Sequence, residues 1–146
     1  MKQPYNPLDD IHQYFPHKEK DIRSFSPLKL AYLGDAVYEI IVRTLIIERT
    51  DGPVKNLHQH TSSLVNAGSQ SQLIQNLMED LNEEELQAYR RGRNAKTSSV
   101  AKNADIHDYR HATGLETLLG YLYLTGQFSR AVELCRIGFG KLHIDI

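Results

Sequence analysis

The sequence predicts an all-α protein folded as a single compact helical bundle. Three observations carry that prediction. Apolar residues recur at three- and four-residue spacing, as in Leu30, Leu33, Val37, Ile41 and Leu45, which is the period that lines one side of an α-helix. No stretch sustains the apolar-polar alternation of a half-buried strand. The periodic stretches are separated by residues that start or stop helices, among them Ser26-Pro27, Asp51-Gly52-Pro53, Asn82 and Gly126.

Residues 1 to 25 contain Pro4, Pro7 and Pro16 and little periodicity, so an irregular lead-in with at most a short helical turn is expected there. Ser26 then offers an N-cap and Pro27 a first helical position. The apolar stripe from Leu28 to Leu45 makes the following helix long and mostly buried. After the break at Asp51-Gly52-Pro53, Val54, Leu57, Thr61, Leu64 and Val65 mark a second helix, and Leu73, Ile74, Leu77 and Met78 a third over about Ser69 to Asp80. Asn82 with Glu85 three residues later is a capping-box start, with Glu83 and Glu84 at the positive helix end. That helix should run to about Arg91 and stop at Gly92. A stretch of weak periodicity follows to Ile106, a length of loop that in a small domain is more often functional than filler. Asp108 is the expected cap of a helix reaching Thr125, with Gly126 past its end, and Ser129 the expected cap of a last helix. No repeat, low-complexity tract or linker divides the chain, so residues 1–146 are taken as one domain of six or seven helices.

Composition removes several classes. At 40% hydrophobic and 24% charged residues the chain lies far from the signature of disorder. Its apolar runs, such as Ile40-Ile41-Val42, stop well short of a membrane span and the N-terminus opens no signal region, so neither export nor membrane insertion is expected. The single cysteine, Cys135, stands in an apolar helical pattern; it reads as a buried thiol in a reducing cytoplasm. The seven histidines are scattered, and His58 and His60 fall on different helix faces, so structural histidines are favoured over ligands. A net charge of −1 announces no nucleic-acid binder, and any such site must come from charge segregation along the chain.

Two acids stand out. Asp35 lies within Leu33-Gly34-Asp35-Ala36-Val37 and Glu116 within Gly114-Leu115-Glu116-Thr117-Leu118-Leu119-Gly120, apolar settings in which an ionised carboxylate is expensive unless paired or bound to a cation. If the two helices pack face to face, the carboxylates repel each other and recruit a hard cation such as magnesium. The alternative is a cap, a salt bridge or a helix face mistaken for core. Glu39 shows the difficulty: four residues from both Asp35 and Arg43, it reads better as half of an intrahelical ion pair than as a metal neighbour. Between Leu86 and Ala104 there are five cations, Arg90, Arg91, Arg93, Lys96 and Lys102, and no acid, a pattern that suits phosphate oxygens as well as a solvated helix end. Tyr32, Tyr38, Tyr89 and Tyr109 are expected to pack with only the hydroxyl wet.

The segments Leu30-Ala31-Tyr32-Leu33-Gly34-Asp35-Ala36-Val37-Tyr38-Glu39 and Leu115-Glu116-Thr117-Leu118-Leu119-Gly120-Tyr121-Leu122-Tyr123-Leu124 resemble, in order, the signature helix and the second acidic helix of the ribonuclease III catalytic domain. The resemblance covers about residues 20 to 142. With Arg90-Arg91-Gly92-Arg93-Asn94-Ala95-Lys96 and no following double-stranded-RNA-binding domain, the chain looks like the short Mini-ribonuclease III branch of that family. It departs from the ribonuclease III pattern where Ala31 and Thr113 stand in place of two further acids, so only Asp35 and Glu116 carry over as catalytic and metal-binding residues, and the metal site is expected to be sparse.

What the resemblance implies is a ribonuclease III-type domain and a homodimer that cuts double-stranded RNA with Mg2+, leaving 5′-phosphate and 3′-hydroxyl ends. It further implies maturation of the 23S ribosomal RNA precursor, with a ribosomal protein as a candidate helper. A-form RNA buries its base edges in a narrow groove, so duplex shape and phosphates would be read, with the Arg90 to Lys102 segment as a clamp. Two rivals remain open: a non-catalytic RNA-binding ribosome-assembly module, suggested by Ala31 and Thr113, and a purely structural dimerisation domain.

Overall fold

The computed structural model describes residues 6–96 and 105–145. Among them are seven α-helices and no strand: α1 (Pro7–Tyr14), α2 (Pro27–Arg49), α3 (Val54–Val65), α4 (Ala67–Gln75), α5 (Glu83–Arg93), α6 (Ile106–Leu124) and α7 (Phe128–Lys141), with single 3-10 turns at Ile22–Ser24 and Met78–Asp80. Helix α6 is the axis. It packs against α2, α4, α5 and α7, and its Leu115, Leu118, Leu119 and Leu122 are at most 1% exposed. Each of these leucines contributes about 1.5–3 kcal/mol by leaving water. Their partners in the core include Val37, Ile41 and Ile46 of α2, Leu73 and Ile74 of α4, and Leu134 and Phe139 of α7.

Several boundaries follow the sequence chemistry. Ser26 Oγ accepts from the Lys29 N–H with Pro27 at the first position of α2, and Asn82 and Glu85 close a reciprocal capping box on α5 at 2.9 Å each way. Gly126 adopts a left-handed φ of 76°, the conformation a glycine takes without a Cβ penalty. Others depart from it. The lead-in contains a true two-turn helix, α1, because Asn6 Oδ1 accepts from Leu8 N–H and Pro7 starts the helix; α1 buries no residue, which is why no apolar period betrays it. The third predicted helix is shorter and shifted: Asn66 caps α4 through Ser69 N–H, and the chain tightens into the 3-10 turn at Met78–Asp80. Asp105, rather than Asp108, caps α6 through the N–H groups of His107 and Asp108. Ser129 does not cap α7, which begins at Phe128 without a side-chain cap.

Gly92 does not end α5, which continues to Arg93. A Cβ at Gly92 would stand 2.2 Å from Thr117 Oγ1 and 2.9 Å from the Thr113 carbonyl, so the glycine is where α5 and α6 touch. Cys135 is buried and its thiol is pushed up to about 12 by burial. Tyr38 and Tyr89 pack as expected, the former donating to the Leu64 carbonyl at 2.9 Å. Tyr32 does not, being 85% exposed.

Candidate active site

Helices α2 and α6 cross in backbone contact. A Cβ on Gly34 would lie 1.6 Å from the Glu116 carbonyl oxygen, and one on Gly120 would lie 2.0 Å from the Leu30 carbonyl oxygen. Only residues without a Cβ permit that approach. The crossing places Asp35, next to Gly34, close enough to Glu116 that the two carboxyl groups act on each other, favouring a shared proton over two adjacent charges. Thr117 braces the same crossing by donating to the carbonyls of Pro27, at 3.1 Å, and Thr113, at 2.8 Å.

The two acids are not alike. Asp35 is exposed on α2, so the cost of burial inferred from its apolar neighbours does not apply to it; Glu116 is half-buried on α6. Burial first, then the hydrogen bond and charge of Asp35, push the Glu116 carboxyl up to about 8. Among the described residues no cation pairs with either acid. Two adjacent oxygen donors, one resisting ionisation beside the other, form a site that a hard divalent cation relieves. The donor set therefore fits Mg2+, although no group of three or more His, Cys, Asp or Glu side chains gathers among the described residues.

Where the sequence pattern suggested further acids, Ala31 is buried and the Thr113 hydroxyl donates to the Tyr109 carbonyl at 2.9 Å, so neither position offers the site a free oxygen charge. Glu39 pairs with Arg43 at 2.8 Å, as the spacing suggested.

The basic segment divides. Arg91 donates to the Phe25 carbonyl at 3.1 Å and borders a recess with Ile22 and Arg23. Arg93 and Lys96 line a different recess with Asn94, Tyr109 and Arg110. Arg90 is exposed on α5. Lys102 lies outside the described residues, as do Thr97, Ser98 and Ser99. Arg110 carries no signal in the linear sequence, because it stands apart from the basic run; only the packing of α6 on α5 brings it to Arg93 and Lys96.

A ribonuclease III domain model matches residues 28–127, which span both helices of the acid pair. The chain is 46% identical over 131 residues to a Mini-ribonuclease 3 of Clostridium tetani, covering 87% of each chain. It is also 46% identical over 120 residues to one of Brevibacillus brevis, covering 82% of this chain and 90% of that one. In three dimensions it resembles a crystal structure of a protein from Fusobacterium nucleatum with a TM-score of 0.74 at 30% identity, over 85% of this chain and 99% of that one. With the fold, both acidic helices and the relatives in agreement, the chain belongs to the ribonuclease III family of endoribonucleases, within its Mini-ribonuclease 3 group.

Proposed function

We infer that the protein is a Mg2+-dependent endoribonuclease of double-stranded RNA, with Asp35 and Glu116 as the residues that hold the metal. The observation that carries this reading is the meeting of two carboxylates at a helix crossing with no cation among the described residues to satisfy them. When bound, Mg2+ supplies activation of water and stabilisation of charge developing at the scissile phosphate, with release of 5′-phosphate and 3′-hydroxyl ends. The chain's own part is positional: Gly34 and Gly120 fix the distance between the helices, Asp35 and Glu116 supply the oxygen donors, and Arg90, Arg93 and Lys96 offer cations to the RNA backbone.

A homodimer is supported by α2. Leu28, Tyr32, Ile40 and Ile47 are 41%, 85%, 56% and 68% exposed and share one side of the helix, with Asp35 at its edge. Exposed apolar side chains gathered on one side of a helix, with the Glu39–Arg43 ion pair among them, suit an association surface, and a two-fold contact along it would set two acid pairs facing one duplex. Maturation of a 23S ribosomal RNA precursor, in the cytoplasm and with help from a ribosomal protein, is the physiological setting this reading favours. No described helix is long and apolar enough to cross a membrane.

The test is incubation of a long RNA duplex and a precursor duplex with the protein, with and without Mg2+, beside Asp35→Asn and Glu116→Gln. Metal-dependent cleavage should fall by at least about a thousandfold, roughly 4 kcal/mol of activation free energy, in both variants while duplex binding persists. Wild-type binding without cleavage of either duplex would instead establish the RNA-binding assembly module.

A further inference from the structure

The recess between the end of α5 and the start of α6 has a volume of about 450 Å³ and three of its lining side chains are cationic: Arg93, Lys96 and Arg110. Its walls are tied together. Tyr89 Oη of α5 and His111 Nδ1 of α6 are hydrogen-bonded at 2.5 Å, and the Arg93 guanidinium lies over the Tyr89 ring, 5.5 Å from its centroid. Arg93 Nε also donates to Asn94 Oδ1 at 3.3 Å, which fixes its orientation at the rim.

Among the described residues neither Lys96 nor Arg110 has a carboxylate partner. Neither of the two acids at the start of α6 pairs with these cations among the described residues. Asp105 Oδ1 accepts from the N–H groups of His107 and Asp108, and Asp108 Oδ2 lies 3.7 Å from where a Cβ on Gly68 of α4 would stand. Arg93 of α5, Arg110 of α6 and Lys96, just past the end of α5, repel one another around one recess, and an anion between them relieves that repulsion. Tyr109, which also lines the recess, precedes Glu116 by seven residues, so it lies on the same side of α6, roughly 10 Å along the axis at 1.5 Å per residue.

We propose that Arg93, Lys96 and Arg110, beside Tyr109, form a phosphodiester-binding subsite that grips a backbone phosphate of the duplex away from the scissile one, with Arg110 as a positioning residue. Arg91, turned toward Phe25, belongs to the scaffold and not to this subsite. The inference rests on the nuclease reading above, and its ligand is the phosphate charge, so it carries no sequence preference.

The test is binding of a short fluorescent RNA duplex by anisotropy, in chelator, across a salt series. Arg110→Ala should bind about tenfold more weakly, and the slope of log affinity against log salt should fall by about one, the share of one phosphate contact. Arg110→Lys should recover most of the slope, and Arg136→Ala, on the exposed side of α7, should match wild type in both readouts. A scan of single neutral methylphosphonates along the duplex supplies the second measurement. One position should weaken wild type about tenfold and cost Arg110→Ala nothing more. Wild-type affinity and slope in Arg110→Ala, or no position at which the losses coincide, would overturn the subsite while leaving the nuclease reading in place. Failure of wild type to bind duplex RNA at all would overturn both.

Discussion

Glu85 and Glu116 stand on neighbouring helices, and the fold treats them in opposite ways. The Glu85 side chain is only 2% exposed, yet Arg130 grips both of its oxygens at 2.8 and 3.0 Å, and the Asn82 N–H donates to it at 2.9 Å. Burial alone would raise its carboxyl; the Arg130 hydrogen bonds, the Asn82 N–H and the Arg130 charge together hold it below its ordinary value. Glu116 has burial and Asp35, and its carboxyl is driven the other way. A structural acid arrives with its counter-charge built in. An acid left facing another acid costs the fold stability, and on the proposed reading a cation from outside would restore it.

Arg130→Met breaks the satisfied side of this contrast most forcefully. It leaves Glu85 buried without its counter-charge and also removes the donor to the Asp80 carbonyl at 2.7 Å, so a loss of about 3–5 kcal/mol is expected in denaturant titrations. The pH dependence has a definite sign. Because the folded carboxyl of Glu85 is lowered from 4.5, its contribution is complete above pH 4.5 and is lost as pH falls through the folded value. Acid unfolding of wild type should therefore show this loss below pH 4.5, and Arg130→Met should not.

Gly34→Ala attacks the crossing that creates the other side. Its Cβ would meet the Glu116 carbonyl oxygen at 1.6 Å, so α2 and α6 must part, with a cost of about 3 kcal/mol or more and loss of metal-dependent cleavage even where the protein still folds. An unchanged melting temperature in this variant would show that the helices do not touch as described.

The smallest effect has the opposite sign. Glu116→Gln should stabilise the metal-free protein by about 1 kcal/mol, a shift of roughly 2–4 °C in melting temperature. Since the folded carboxyl is raised from 4.5 to about 8, ionising it costs nothing below pH 4.5, costs progressively more as pH rises between those values, and reaches its full cost above pH 8. The stabilisation by glutamine should grow over that same window. Glu85→Gln, by comparison, should destabilise at neutral pH.

The sequence already carried the helical class, because 3.6-residue periodicity and local caps depend on neighbours in the chain. Ser26-Pro27 and Asn82 with Glu85 are cases where the capping group and the helix it starts lie within four residues. It also carried the acid pair as two positions, yet their meeting depends on Gly34 and Gly120 contacting carbonyls 82 and 90 residues away in sequence. Gly92 was misleading for the same reason: a glycine that fits a helix stop equally fits a helix-helix contact, and only Thr117 distinguishes them. Asp105 and Asp108 are both suited to a cap, and one turn of backbone geometry decides between them. Arg110 was out of reach altogether, since its companions Arg93 and Lys96 stand 17 and 14 residues earlier in the sequence.

Direct titration of Mg2+ into the metal-free protein, by calorimetry and by thermal shift, tests the central claim that Asp35 and Glu116 await a cation. Wild type should take up the metal and gain thermal stability, while Asp35→Asn and Glu116→Gln should lose both responses with helical content intact. Equal Mg2+ uptake and equal stabilisation in wild type and both variants would contradict the assignment.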